Sequence, residues 1–222
     1  MFEKKYNFRL EGATPLILHW DNLGWADQID KERTAIKESK DGTFKAGDDR
    51  CPPHTWQGYV YNDGKHMTLP SDNLGACILK AGARIILDKQ KTYKELTQCG
   101  MLFDAMDMPI LIGGAPVSWT AIESIRGVFA EHVAAVQSLG FGLLVKRAKV
   151  GQSKHVRVRP RLDEWAIEGS LTVVKEEVTH NILTRLFELA GLYIGLCDWR
   201  PGSPKSPGPY GQFTAKITPA KK

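Results

Sequence analysis

The stretch Trp165-Ala166-Ile167-Glu168-Gly169-Ser170-Leu171-Thr172-Val173 sets Trp165, Ile167, Gly169, Leu171 and Val173 in alternation with Ala166, Glu168, Ser170 and Thr172. Period-two alternation of this kind is the pattern of a strand that packs one face. At Thr179 the period changes. Ile182, Leu183, Leu186, Phe187, Leu189, Ala190, Tyr193 and Ile194 fall on one broad apolar stripe at helical spacing. Thr179 is placed to cap the first turn of that helix and Gly195 to stop the last. Next comes Arg200-Pro201-Gly202-Ser203-Pro204-Lys205-Ser206-Pro207-Gly208-Pro209, a loop that feeds a closing strand over Tyr210 to Ile217. Strand, helix and strand in this order predict half of an α+β domain.

Immediately upstream, His155-Val156-Arg157-Val158-Arg159-Pro160-Arg161 alternates apolar and basic residues, so the expected strand projects Arg157, Arg159 and Arg161 together. Lys146, Arg147, Lys149 and Lys154 precede it, and no Asp or Glu interrupts the run from Lys146 to Arg161. Guanidinium groups are permanently charged and fork toward two phosphate oxygens, which suits them to a polyanion. Gly151 breaks the first half, Lys146 to Lys154, which is expected to be a loop. The acids gather elsewhere, at Asp27, Asp30, Glu32 and Glu38 and again at Asp163, Glu164, Glu176 and Glu177. A chain of net charge +5 with its charges segregated in this way favours an anionic partner.

Working further out, Tyr6, Phe8 and Leu10 alternate with polar residues and lead past Pro15 to Leu16-Ile17-Leu18, an opening strand with a bend, placed in the central sheet. A polar insertion follows, with a helix expected over Trp25 to Glu38 and a loop over Asp41 to Asp49. Tyr59 to Met67 carries Asp63-Gly64 between short arms, the signal of a hairpin, read as projecting from the body. Leu74, Cys77, Ile78, Ala81 and Ile85 mark a helix capped by Ser71 or Asp72. The middle of the chain predicts a helix over Lys91 to Phe103, a strand over Ile110 to Ile112 and a helix over Ala121 to Ser138 that Gly127 weakens. In order these elements trace β-α-β-β-α-β, the ferredoxin-like or RRM-like sequence of strands and helices. The chain, residues 1–222, thus reads as a single RRM-like domain with hairpin and helical segments inserted at about 19–69 and 88–140.

The amphipathic helix, the loop ending Gly208-Pro209-Tyr210-Gly211-Gln212-Phe213 and the strand after it resemble the glycine-rich terminus of the RAMP superfamily. Leu69-Pro70-Ser71-Asp72-Asn73-Leu74, placed before a helix and after a long insertion, resembles the backbone subunits of CRISPR effector complexes in that superfamily. The likeness covers the first strand, the helix from Ser71 and the last third. The terminal loop departs from the family pattern in being rich in proline. The resemblance implies a modified RRM-like core whose copies line up, as a homo-oligomer or with other effector subunits, along a single strand of nucleic acid. It is silent on RNA against DNA, although RNA is the favoured ligand.

Composition bounds the remaining chemistry. No apolar run approaches the roughly 18 residues that span a bilayer, and the Met-Phe-Glu-Lys-Lys-Tyr start does not read as a signal peptide. A cytoplasmic protein without disulfides is therefore expected from Cys51, Cys77, Cys99 and Cys197. Neither a metal nor another cofactor is called for. Cys51-Pro52-Pro53-His54 lacks a second ligand pair, and Gly113-Gly114 lacks the Lys-Ser/Thr of a phosphate loop. No catalytic residue is assigned either. The six histidines show no converging pair, and Asp21, after the first strand, is only a candidate for the alternative reading as an RNA endonuclease. Trp199, Arg200, Lys205 and Tyr210, in or beside the Pro/Gly loop, join the basic run as candidate nucleic-acid contacts, whereas Trp165 reads as core. Five phosphate contacts predict a salt slope of about −3.5 on a single strand, at roughly −0.7 each. A third reading is a protein-interaction module that mimics a filament subunit and inhibits the assembly.

Overall fold

The computed structural model describes residues 2–27, 31, 55–150 and 153–220, with the side chains of 147–150 and 153–155 outside that description. The expected helix over Trp25 to Glu38 is helical at 23–27 and at 31 and otherwise lies outside the described residues, as do the loop at Asp41 to Asp49 and the Cys51 to His54 half-site.

A sheet of seven strands organises the chain. β1 (Lys4–Gly12) and β11 (Ala166–Val173) lie at its centre, paired antiparallel with Tyr6 opposite Leu171, Phe8 opposite Gly169 and Leu10 opposite Ile167. β12 (Phe213–Pro219) flanks β1, while β7 (Asp107–Ile112) and then β3 (Thr68–Pro70) extend the other side, giving the order β12-β1-β11-β7-β3. β6 (Met101–Phe103) also pairs with β11, and β8 (Ala115–Pro116) with β7. Tyr6, Phe8 and Leu10 are buried and the residues between them are not, as their alternation requires.

Helices cover the buried face. α1 (Ser71–Gly82) packs through Leu74, Cys77, Ile78 and Ala81, and α5 (His180–Leu189) through Leu183, Leu186 and Phe187. Phe187 meets Phe8 with ring centroids 5.5 Å apart, which fixes α5 against β1. Thr179 caps α5 by accepting the Ile182 N–H, and a π turn over Ala190–Ile194 carries the helix to its stop at Gly195. The fold is α+β, with a large antiparallel sheet and several helices.

Several local expectations change. The basic strand β10 (Ser153–Leu162) does not lie in the main sheet; it forms a separate sheet of order β2-β10-β9 with β2 (Leu16–Ile17) and β9 (Gly142–Val150). Lys146 to Val150 is thus strand rather than loop, because a full ladder from Gly142 opposite Arg161 to Val150 opposite Ser153 supplies its hydrogen bonds. The bend after β1 sends Leu16-Ile17 to this second sheet. α1 begins after Pro70 without a side-chain cap, its Ser71 N–H taken by the Met106 carbonyl. The Asp63-Gly64 turn exists, with the Asp63 carboxylate accepting the Lys65 and His66 N–H groups at 2.8 and 2.7 Å. Its arms carry Val60 and Met67 into the core, so it does not project.

Lys91 to Phe103 splits into β5 (Lys91–Thr92), paired with β4 (Ile86–Asp88), then α2 (Lys94–Gly100) and β6. Two helices, α3 (Trp119–Glu123) and α4 (Phe129–Ser138), replace the single helix expected over Ala121 to Ser138. Gly127 between them has φ 106°, a left-handed backbone that no helix continues through. The closing strand starts at Phe213, three residues later than expected.

Candidate nucleic-acid interface

The second sheet turns the basic run into a two-sided ribbon. On β10, Val158, Pro160 and Leu162 are buried while Arg157, Arg159 and Arg161 are half-buried, so the three arginines share a face as their spacing predicts. Residues directly opposite in an antiparallel pair also share a face. Lys146 stands opposite Arg157, and Leu144 opposite Arg159, which adds a lysine to the row. By register Arg147 is opposite Val156 and Lys149 opposite Lys154, positions that alternate with that row. The side chains of Arg147, Lys149 and Lys154 lie outside the described residues.

A cleft of about 260 Å³ separates this face from the Pro/Gly loop. Lys146, Arg157 and Arg159 form one wall, and Trp199, Ser203 and Ser206 the other. Lys146 holds its Nζ 3.7 Å from the centroid of the Trp199 ring, a cation–π contact. Tyr210 backs the indole with ring centroids 5.6 Å apart and tilted by 43°. At Gly208 a Cβ would sit 2.2 Å from Trp199 Cδ1, so the loop closes on the ring only because that residue has no side chain. Arg200 donates to the Cys197 carbonyl, and Lys205 is exposed at the loop's crest.

The arginines are not equivalent. Arg161 donates to Asp163 Oδ1 from Nε and Nη2, both at 2.7 Å. Arg159 pairs with Asp198 and lies over the Tyr59 ring at 6.0 Å. Burial, with the Arg157 charge, holds the Arg159 guanidinium below its ordinary value, which leaves it protonated in water near neutrality. Among the described residues no carboxylate pairs with Arg157 or Lys146. Around the cleft, the described cations without a carboxylate partner are thus that cross-strand pair and the loop residues Arg200 and Lys205.

Asp198 also borders a second hollow of about 200 Å³, lined by His19, Tyr61, Asn73, Lys80 and Arg200. Tyr61 donates its hydroxyl to the His19 carbonyl at 3.0 Å, and the His19 ring stands edge-on to Tyr59 at 4.9 Å. Burial lowers the His19 imidazole, Arg159 lowers it further, and Asp21 opposes them from 3.9 Å. Asp21 itself is exposed. Burial pushes the Cys77 and Cys197 thiols up to about 12, so neither is poised to act as a thiolate.

The open face of the main sheet is a poor alternative. Most of its charges are spent on each other, Arg9 on Glu11 and Glu168, and Lys5 on Asp104 at 3.0 Å, which leaves Lys216 opposite Arg9 as its cation without a carboxylate partner among the described residues. The expected row of arginines across that sheet is therefore replaced by a row on the β9–β10 ribbon beside it. Trp165 is core, its indole N–H donated to the Thr14 carbonyl at 3.0 Å. Asp198, Ser203 and Ser206 were not singled out by sequence, although all three lie within or next to the loop that was.

Among the described residues no group of three or more His, Cys, Asp or Glu side chains is placed to hold a metal ion, and no helix is long and apolar enough to cross a membrane. No protein-family model and no curated protein matches the chain.

Proposed function

We propose that the protein binds single-stranded nucleic acid, RNA in preference to DNA, in the cleft between the β9–β10 ribbon and the Pro/Gly loop. In this reading it is a non-enzymatic subunit of a helical nucleoprotein assembly of the RAMP kind. The observation that carries the proposal is the pair Lys146 and Arg157, opposite each other across a two-stranded ribbon beside Trp199. Like charges directly opposite destabilise a ladder, and a bound polyanion removes that cost. An aromatic face next to a cationic track is what an unpaired base and its phosphate need together.

The core supports the same reading. Taking β1, α1, β6 with β7, β11, α5 and β12 as six elements, the strand order β12-β1-β11-β6/β7 reads fourth, first, third, second, the order expected of a ferredoxin-like core, and so supports assigning that core. The β9–β10 ribbon is then an insertion before the third strand. Backbone contacts carry no base information, so sequence would come from a paired guide or not enter at all.

Binding of labelled single-stranded RNA and DNA across a chloride series tests the proposal. Lys146, Arg157, Arg200 and Lys205 as the contact set predict a slope of about −2.8, at roughly −0.7 per phosphate. Absence of binding at low salt sinks it and leaves the protein-interaction reading. A second reading, an RNA endonuclease, draws on His19 in the hollow with Lys80 and Arg200. It requires shortened products that disappear in His19→Ala, whereas the binding proposal requires RNA recovered at full length.

A further inference from the structure

Asp198 puts a carboxylate where a binding site for polyanions has least use for one. It borders both hollows and pairs with Arg159 at the centre of the basic row. The chain is bent to hold it there. Cys197 and Trp199, on either side, have φ of 58° and 54°, a left-handed backbone that residues other than glycine rarely adopt. The Asp198 N–H is tied to the Ile17 carbonyl of β2 at 3.1 Å, which anchors the turn to the sheet that carries Arg159. Even so, Arg159 is incompletely matched, since its buried Nε has no acceptor among the described residues.

A carboxylate and a phosphodiester offer a guanidinium the same thing, two oxygens sharing a negative charge. We infer that Asp198 is a built-in counter-anion, holding beside Arg159 the place that a backbone phosphate would otherwise take when a single strand of RNA enters the cleft. The inference rests on the proposed nucleic-acid binding and adds to it a choice of ligand. With Arg159 already neutralised, a lone phosphate finds little to gain at the centre of the cleft. A polymer is held instead by Lys146, Arg157 and the loop cations acting together, a grip that does not need Arg159. The site thereby favours strands over mononucleotides.

The test compares the full chain with Asp198→Asn, using a labelled oligouridylate of roughly 16 nucleotides and uridine monophosphate as the two probes. The variant is expected to steepen the oligouridylate salt slope by about 0.7, one added phosphate contact. It is also expected to bind uridine monophosphate roughly fivefold or more tightly, the low end of an ordinary coupling. An unchanged or shallower slope, or unchanged monophosphate affinity, overturns the inference. Should Asp198→Asn fail to fold, two variants in the native background decide instead. Arg157→Gln is expected to flatten the slope by about 0.7 and Arg159→Gln by less than half as much; equal losses overturn the role given to Asp198. Silence of the native protein toward oligouridylate overturns the nucleic-acid reading itself, an outcome distinct from binding whose slope Asp198→Asn leaves alone.

Discussion

At the scale of single residues, Trp199 and His19 are the positions where packing and proposed function separate most cleanly. Trp199 lies under the Lys146 ammonium and against Tyr210, and a base that takes the face Lys146 leaves on turning to a phosphate would gain about 1 to 3 kcal/mol of stacking. Trp199→Ala is therefore expected to weaken oligouridylate binding by roughly 5- to 150-fold with the salt slope intact, because no phosphate contact is lost. A fall in slope with the affinity would mean that the ring only holds the cations in place. His19 predicts a pH effect on folding. Burial, then Arg159, lower its imidazole from the ordinary 6.5, so the unfolded chain binds the proton more tightly than the native one. Stability is then full above 6.5 and falls as pH drops through 6.5 toward the lowered native value. Urea midpoints taken from about pH 7.5 to 5 should decline in the native chain and decline less in His19→Gln. The Asp104 carboxyl, held below 3.8 first by the Ser170 hydroxyl and also by Lys5, acts at lower pH and does not confuse the comparison.

Among the elements, the β9–β10 ribbon shows what a local pattern can and cannot reveal. Alternation in His155 to Arg161 predicts a strand with three arginines on one face, and that much is a property of the backbone geometry of seven consecutive residues. Which sheet the strand joins is decided by distant residues. Arg161 pairs with Ile17 and Leu162 with Leu16, across about two-thirds of the chain, and no periodicity within β10 encodes that. The α5 stripe with its Thr179 cap and Gly195 stop was legible for the opposite reason, since a helix satisfies its hydrogen bonds within itself. The cleft was legible by halves: basic residues and Trp199 stand out in sequence, whereas the Arg159 to Asp198 pair joins positions that only the fold brings together.

Two substitutions exploit these elements. Arg157→Glu places an acid opposite Lys146, which should hold or raise the melting temperature by an opposite-charge pair worth about 0.2 to 1 kcal/mol while binding collapses. Gly191→Ala tests the π turn. Its Cβ would lie 2.0 Å from the Phe213 carbonyl oxygen, backbone against backbone with no side chain free to yield. A cost of about 3 kcal/mol is expected, a fall in melting temperature of roughly 6 to 12 °C. A smaller loss would show that the turn shifts away from β12 at little cost.

For the whole molecule, the distribution of charge bears on how copies would meet. The chain carries +5, and among its described acids Asp163, Glu164, Glu176 and Glu177 are exposed, with Asp163 paired to Arg161 at the end of β10 and Glu176 and Glu177 beyond β11. A surface with separated signs favours head-to-tail contact between different patches of two copies, and such contacts extend into an open filament wherever the rotation between copies does not close a ring. A strand of RNA running through successive clefts would fix the spacing that charge alone leaves loose. Light scattering on complexes with single-stranded RNA of increasing length is then expected to rise in steps of one 24.7 kDa subunit, with single copies on the shortest strands. The steps should blur at high salt, where contacts between exposed charges are screened over roughly 3 Å at 1 M. A complex whose mass stays at one subunit on every length of RNA would retain the cleft as a binding site and remove the assembly. Growth in mass without RNA would move the driving force from the strand to the protein surfaces, and Arg157→Glu would then leave it untouched.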